Sequence, residues 1–191
     1  MILLTIIFLG NLSDKRIEAG SFNSVEQHQG LLYTSQYTKA EIRVFRYEQD
    51  AYKMQKNFKV PLQKIGNTIP FMDISVRRDR VTYSSTGDNL IYIYSLTGER
   101  LMSHNKPSPV SVGELNYTYV SDGDEYGNVL LADRDADQLY VMNERGECRK
   151  VQLEPAAEKP RSAVMCNEFL FVASARKKLH KYRCHKTHPE Q

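Results

Sequence analysis

Val129-Leu-Leu-Ala-Asp133, continued after a polar loop by Leu139-Tyr-Val-Met142 and a turn at Arg145-Gly146, reads as two short strands joined through Arg134-Asp-Ala-Asp137. Each is a brief apolar run bounded by turn-forming polar residues, the pattern of a strand that buries its side chains. A second stretch keeps the same internal spacing. Val81-Thr-Tyr-Ser-Ser85 leads through Thr86-Gly-Asp-Asn89 to Leu90-Ile-Tyr-Ile-Tyr94 and a turn at Thr97-Gly98. Ser85 to Gly98 and Asp133 to Gly146 are both separated by 13 positions. Two further copies start at Leu31-Leu-Tyr-Thr-Ser35 and at Phe169-Leu-Phe-Val-Ala-Ser174, answered by Ile42-Arg-Val-Phe45 and Leu179-His-Lys-Tyr182.

Between matched positions, Tyr33 to Tyr83 is 50 residues, Tyr83 to Leu131 is 48 and Leu131 to Val172 is 41. A period of roughly 40 to 50 residues carrying several short strands is the signature of β-propeller blades. The expected fold is therefore all-β, a propeller of four-stranded antiparallel blades. The blades fall at about residues 18–62, 66–105, 113–153 and 160–184 of a domain spanning 1–184, with a basic tail at 185–191. In the second blade the strands are expected at 71–76, 80–85, 90–95 and 99–104. The fourth ends after its third strand, and residues 1–9 are a candidate outer strand to close the ring. A blade cannot bury both faces alone, so about four blades imply a small ring, part of a larger one, or a homodimer that completes it.

Composition agrees. Among 191 residues there are 12 Tyr and no Trp, and the formal charge is only +3. Three cysteines, Cys148, Cys166 and Cys184, make an odd and sparse set, which points to a reducing, cytoplasmic setting. Residues 1–10, MILLTIIFLG, form an apolar run without a basic flank or a small-x-small cleavage site. A buried strand is favoured there over a signal peptide, and the run is too short to span a bilayer.

The third copy carries a resemblance. Ala132, Asp133, Leu139, Val141, Met142, Asn143 and Gly146 fall on the positions of an NHL repeat, and the whole resembles the C-terminal propeller of tripartite-motif (TRIM-NHL) proteins. Two departures stand out: Ala136-Asp137 replaces the family's Asn-His pair, and Ser84-Ser85 replaces Ala-Asp in the second copy. The resemblance implies a platform that binds a protein or an RNA, with no cofactor.

Other constellations have plainer explanations. Asp133, Asp135, Asp137 and Glu144 imitate a calcium loop, but Gln138 stands where that loop needs glycine. His180, Cys184, His185 and His188 lack a partner cluster at zinc-finger spacing. No nucleophile, phosphate-loop or metalloprotease motif is present, so no catalytic residue and no metal ligand is assigned. An enzyme of the metal-dependent propeller lyase or lactonase type is the remote alternative.

The binding face is expected where the loops between strands two and three meet those between blades. It carries Lys39, Lys64, Lys106, Arg134, Arg161, Arg176 and Lys177. Asp88, Asp135 and Glu158 share that face, so no strongly basic stripe forms. The sequence therefore favours a partner protein, with single-stranded RNA as the alternative and no role at a membrane.

Overall fold

Short β-branched and aromatic runs separated by tight turns give fifteen strands among the described residues. The computed structural model describes residues 24–36, 39–49, 51–63, 65, 70–109, 111, 114–124, 126–175 and 178–184. Residues 1–23, with the expected closing strand and apolar run, and the tail 185–191 lie outside them.

The strands make four antiparallel sheets arranged as the four blades of a β-propeller. Blade 1 holds β1 (Ser24–His28), β2 (Leu31–Gln36), β3 (Glu41–Glu48) and β4 (Ala51–Lys59). Blade 2 holds β5 (Met72–Arg77), β6 (Arg80–Ser85), β7 (Leu90–Ser95) and β8 (Arg100–Asn105). Blade 3 holds β9 (Thr118–Gly123), β10 (Val129–Asp133), β11 (Gln138–Met142) and β12 (Cys148–Val151). Blade 4 has three strands among the described residues, β13 (Pro160–Cys166), β14 (Phe169–Ser174) and β15 (Leu179–Arg183). Within each blade the strands pair in sequence order, as a meander, and β1, β5, β9 and β13 lie side by side along the axis.

Three apolar layers hold the blades together. Tyr33, Ile42 and Val44 of blade 1 pack on Met72, Ile74, Val76 and Tyr83 of blade 2. Ile91 meets Val120, Leu131 and Met142 between blades 2 and 3. Leu130, Ala132 and Leu139 meet Ala163, Leu170 and Val172 between blades 3 and 4. Period-two alternation explains this division: one set of side chains on each sheet faces the preceding blade and the other set faces the next.

The pairing also shows a slip. Gln36 pairs with Glu41 at the mouth of its loop, as Asp133 pairs with Gln138, so Gln36 and Asp133 are equivalent. Tyr33 then stands one residue out of step with Tyr83 and Leu131, and points to the opposite face of its blade. β2 and β6 are both six residues long and both are followed by four-residue loops, so Tyr33 matches Thr82 rather than Tyr83, and one residue of shift exchanges the two faces of a strand.

The hairpin glycines have a steric reason as well as a conformational one. Gly98 and Gly146 sit at φ +94° and +82°, and a Cβ there would strike Phe58 of blade 1 and His104 of blade 2 respectively. Each outer hairpin thus rests on the outer strand of the blade before it.

Candidate binding face at the channel mouth

The inner strands begin at one mouth of the channel, and the inter-blade loops knit that mouth together. Asn116 N donates to Thr86 O, and its side-chain amide bridges Asn89 Oδ1 and Ser108 O at 2.9 and 3.0 Å. Arg134 N donates to Tyr117 O, and Lys159 N to Asp137 Oδ1. The loops after β6 and β10 are therefore fixed to the segments that enter the next inner strands. Asp133 Oδ1 accepts Ala136 N within its own turn. Of the calcium-like acids, Asp133 thus caps its own turn, Asp137 holds Lys159 N and Glu144 pairs with Arg80, and among the described residues no three His, Cys, Asp or Glu side chains converge on a metal position.

The predicted face divides when placed on this frame. Lys39 is exposed, and its carbonyl accepts Lys59 Nζ at 3.1 Å. Arg161 is exposed at the start of β13. Arg134 is half-buried, with its guanidinium 4.6 Å from the centre of the Tyr117 ring. Its Nε is buried without a hydrogen-bond partner, while the guanidinium bonds the Tyr119 hydroxyl. Lys64, Arg176 and Lys177 lie outside the described residues.

Lys106 is a correction. It is 2% exposed and lies under the face rather than on it. Its ammonium donates to Ser85 O at 2.7 Å and to Asn116 O at 3.3 Å, tying a loop of blade 2 to the entry of blade 3. Burial lowers its pKa to about 7, against the pull of Asp88, Asp73 and Asp133. Asp73, on the inner strand β5, answers it: burial raises that carboxyl to about 7, with Lys106 opposing.

Around Asp73 the mouth is aromatic and mixed in charge. Burial, then Asp73, push the Tyr119 hydroxyl up to about 12, while Arg134 and Arg161 draw it back. Phe71, just before β5, is 58% exposed at the rim. Phe71, Asp73, Tyr117, Tyr119, Arg134 and Arg161 thus make one patch, of which the sequence marked only the two arginines.

The far mouth holds a cluster that the sequence reading missed. Arg77 at the end of β5 pairs with Glu26 of β1 and Asp122 of β9, and its Nε donates to Gly123 O at 2.8 Å. Asp122 Oδ2 also accepts Met165 N of β13 at 3.0 Å. One guanidinium and one carboxylate therefore join all four inner strands. Burial raises Glu26 to about 7, with Arg77 opposing and Asp122 adding to the rise. Arg77→Ala leaves the Asp122 carboxylate buried without its cation. The expected loss is ~2 kcal/mol, reduced from the usual cost of breaking a buried pair because Arg77 is partly solvated. A urea titration checks it: an unchanged midpoint would show that the cluster holds nothing together.

No protein-family model matches the chain, and no curated protein matches it. Solved structures do. A streptogramin B lyase is 14% identical over 87% of the chain with a TM-score of 0.57, and the chain spans 55% of its length. Virginiamycin B lyase from Staphylococcus aureus is 12% identical over 87% of the chain, covering 56% of that protein at a TM-score of 0.56. BamB from Moraxella catarrhalis is 15% identical over 83% of the chain, covering 42% of that protein at a TM-score of 0.56. The likeness shows a β-propeller fold. The chain spans about half the length of these proteins or less.

Proposed function

We propose that the chain is a non-catalytic binding platform of NHL-propeller type, which recruits a partner protein at the mouth where its inner strands begin. One observation carries the choice of partner: carboxylates and arginines interleave there around exposed or half-exposed aromatic rings. Asp73, Asp135 and Asp137 stand among Arg134, Arg161 and Lys39, with Phe71 and Tyr117 between them. A polyanion would meet repulsion at each acid, whereas aromatic and Arg anchors within a mixed rim are what protein interfaces use. Propeller loops on a rigid frame are suited to such recognition because a bound segment orders little of the platform.

Selection of the purified chain against a displayed random-peptide library tests the reading. Selected peptides are expected to bind saturably, and Phe71→Ser or Arg134→Glu to weaken them by about tenfold or more. If no peptide is enriched, while a pool of short single-stranded RNAs binds selectively and loses affinity with salt, the mouth belongs to RNA instead. The Arg134 guanidinium stacked on Tyr117 is the feature that such an RNA would use. The lyases among the similar structures leave turnover as the remaining alternative, and it would appear as loss of a substrate during incubation with the chain.

A further inference from the structure

At the far mouth, opposite the face proposed to bind a partner, the β5–β6 and β9–β10 turns leave a cleft between blades 2 and 3. Among the described residues its walls carry three arginines, Arg77, Arg78 and Arg80, and a single carboxylate, Glu144. Arg77 is committed to Glu26 and Asp122. Arg78 and Arg80 are held more loosely. Their Nη1 atoms stand 4.0 and 3.3 Å from Glu144 Oε1, longer than a well-made guanidinium–carboxylate bond of about 2.8 Å. The exposed Asp79 also touches Arg80, its Oδ1 lying 3.4 Å from Nε.

Ser75 is a second and independent sign. It lies on β5, is 3% exposed and lines the same cleft, and its hydroxyl has no hydrogen-bond partner among the described residues. A buried hydroxyl without a partner carries a cost that a ligand atom removes. Gly127, at φ +89°, shapes another wall, since a Cβ there would strike the Glu144 carboxylate. Arg78 is fixed in its turn, where its carbonyl accepts from His28 Nε2 at 2.6 Å.

We infer that this cleft is a site for a phosphate-type oxyanion, free or as a monoester, in which the Glu144 carboxylate is the resident stand-in. With Glu144 in place there is room for about one water, so an anion enters by displacing that side chain. Glu144 is half-exposed in the turn after β11 and can swing out without unmaking the blade. Arg78, Arg80 and the Ser75 hydroxyl then offer donors from three positions. That suits the several oxygens of a tetrahedral anion better than the two of a carboxylate. Glu26 and Asp122, beyond Arg77, oppose the anion and keep its affinity in the millimolar range.

Calorimetric titration of the full chain with inorganic phosphate, in a buffer free of other oxyanions, tests this. Saturable binding of a single ion per chain is expected. Glu144→Gln removes the competing charge and tightens binding by about fivefold or more. Arg80→Gln weakens it by about tenfold. Lys150→Gln, the same change of charge on the exposed outer strand β12, leaves it unchanged. Glu144 makes only solvated pairs, so its variant keeps the melting temperature of the parent chain. Phosphoserine as a second titrant separates the sources: tighter binding than inorganic phosphate assigns a phosphorylated partner, and equal or weaker binding assigns the free ion. No saturable binding by the Glu144→Gln chain would overturn the inference. So would an affinity indifferent to Glu144→Gln and Arg80→Gln, or one that Lys150→Gln lowers as far as Arg80→Gln does.

Discussion

Replacing Lys106 by Met is expected to lower the free energy of unfolding by about 3 kcal/mol, the result of stripping a buried cation from three carboxylates. Methionine keeps the apolar stem, so little packing is lost. What disappears is the donor to Ser85 O and Asn116 O, together with the cation that opposes Asp73. Buried acceptors left without donors cost more than the net gain of the bonds they made. Urea unfolding of the variant gives the measurement, and a loss under about 1 kcal/mol would mean that the ammonium is solvated and the link dispensable.

The same groups give stability an unusual dependence on pH. Glu26 and Asp73 bind protons more tightly folded than unfolded, with folded values of about 7 against ordinary values of 4.5 and 3.8. Between those limits the native state holds the extra protons, so their contribution falls as pH rises toward 7. Lys106 has a folded value of about 7 against 10.5, so the unfolded state holds the extra proton from 7 upward and stability climbs with pH. Together they place a shallow minimum near neutrality. Lys106→Met removes the alkaline limb and leaves the acid limb standing.

Much of the fold was legible because a repeat is stated several times over. The second blade's strands were expected at 71–76, 80–85, 90–95 and 99–104, and they lie at Met72–Arg77, Arg80–Ser85, Leu90–Ser95 and Arg100–Asn105. Alternation within a run, and a glycine in the outer turns of blades 2 and 3, are local properties that a single chain displays. The slip of Tyr33 was not legible, since matching Tyr33 to Tyr83 is the natural reading of the runs and only the pairing of Gln36 with Glu41 shows which residue closes the loop. Lys106 misled for a related reason: a lysine in a loop is solvated by default, and here its acceptors are backbone carbonyls, which leave no trace in side-chain identity. Arg77 gave no hint, since the expected strand ended at 76 and left it in a turn with Arg78 and Arg80. Its partners Glu26 and Asp122 lie 51 and 45 residues away, and only the juxtaposition of blades brings them together.

Leu139→Ala is expected to cost about 3 kcal/mol, and Leu179→Ala less than about 0.5 kcal/mol in dilute solution. The two leucines hold equivalent positions, opposite Ala132 and Ala173, although Lys181 stands in the second run where Val141 stands in the first. Leu139 is fully buried between Leu130 and Ala132 of its own sheet and Ala163 and Val172 of the next, so truncation opens a cavity in close-packed surroundings. Leu179 has no such neighbour among the described residues, and its truncation removes area that water already reaches. Paired urea titrations at low protein concentration measure the contrast. Equal losses would mean that Leu179 is packed as Leu139 is. A burial pattern that repeats along the sequence but fails at the last blade makes the energetics of each interface depend on what stands beside the blade, and the two leucines measure that dependence at one position.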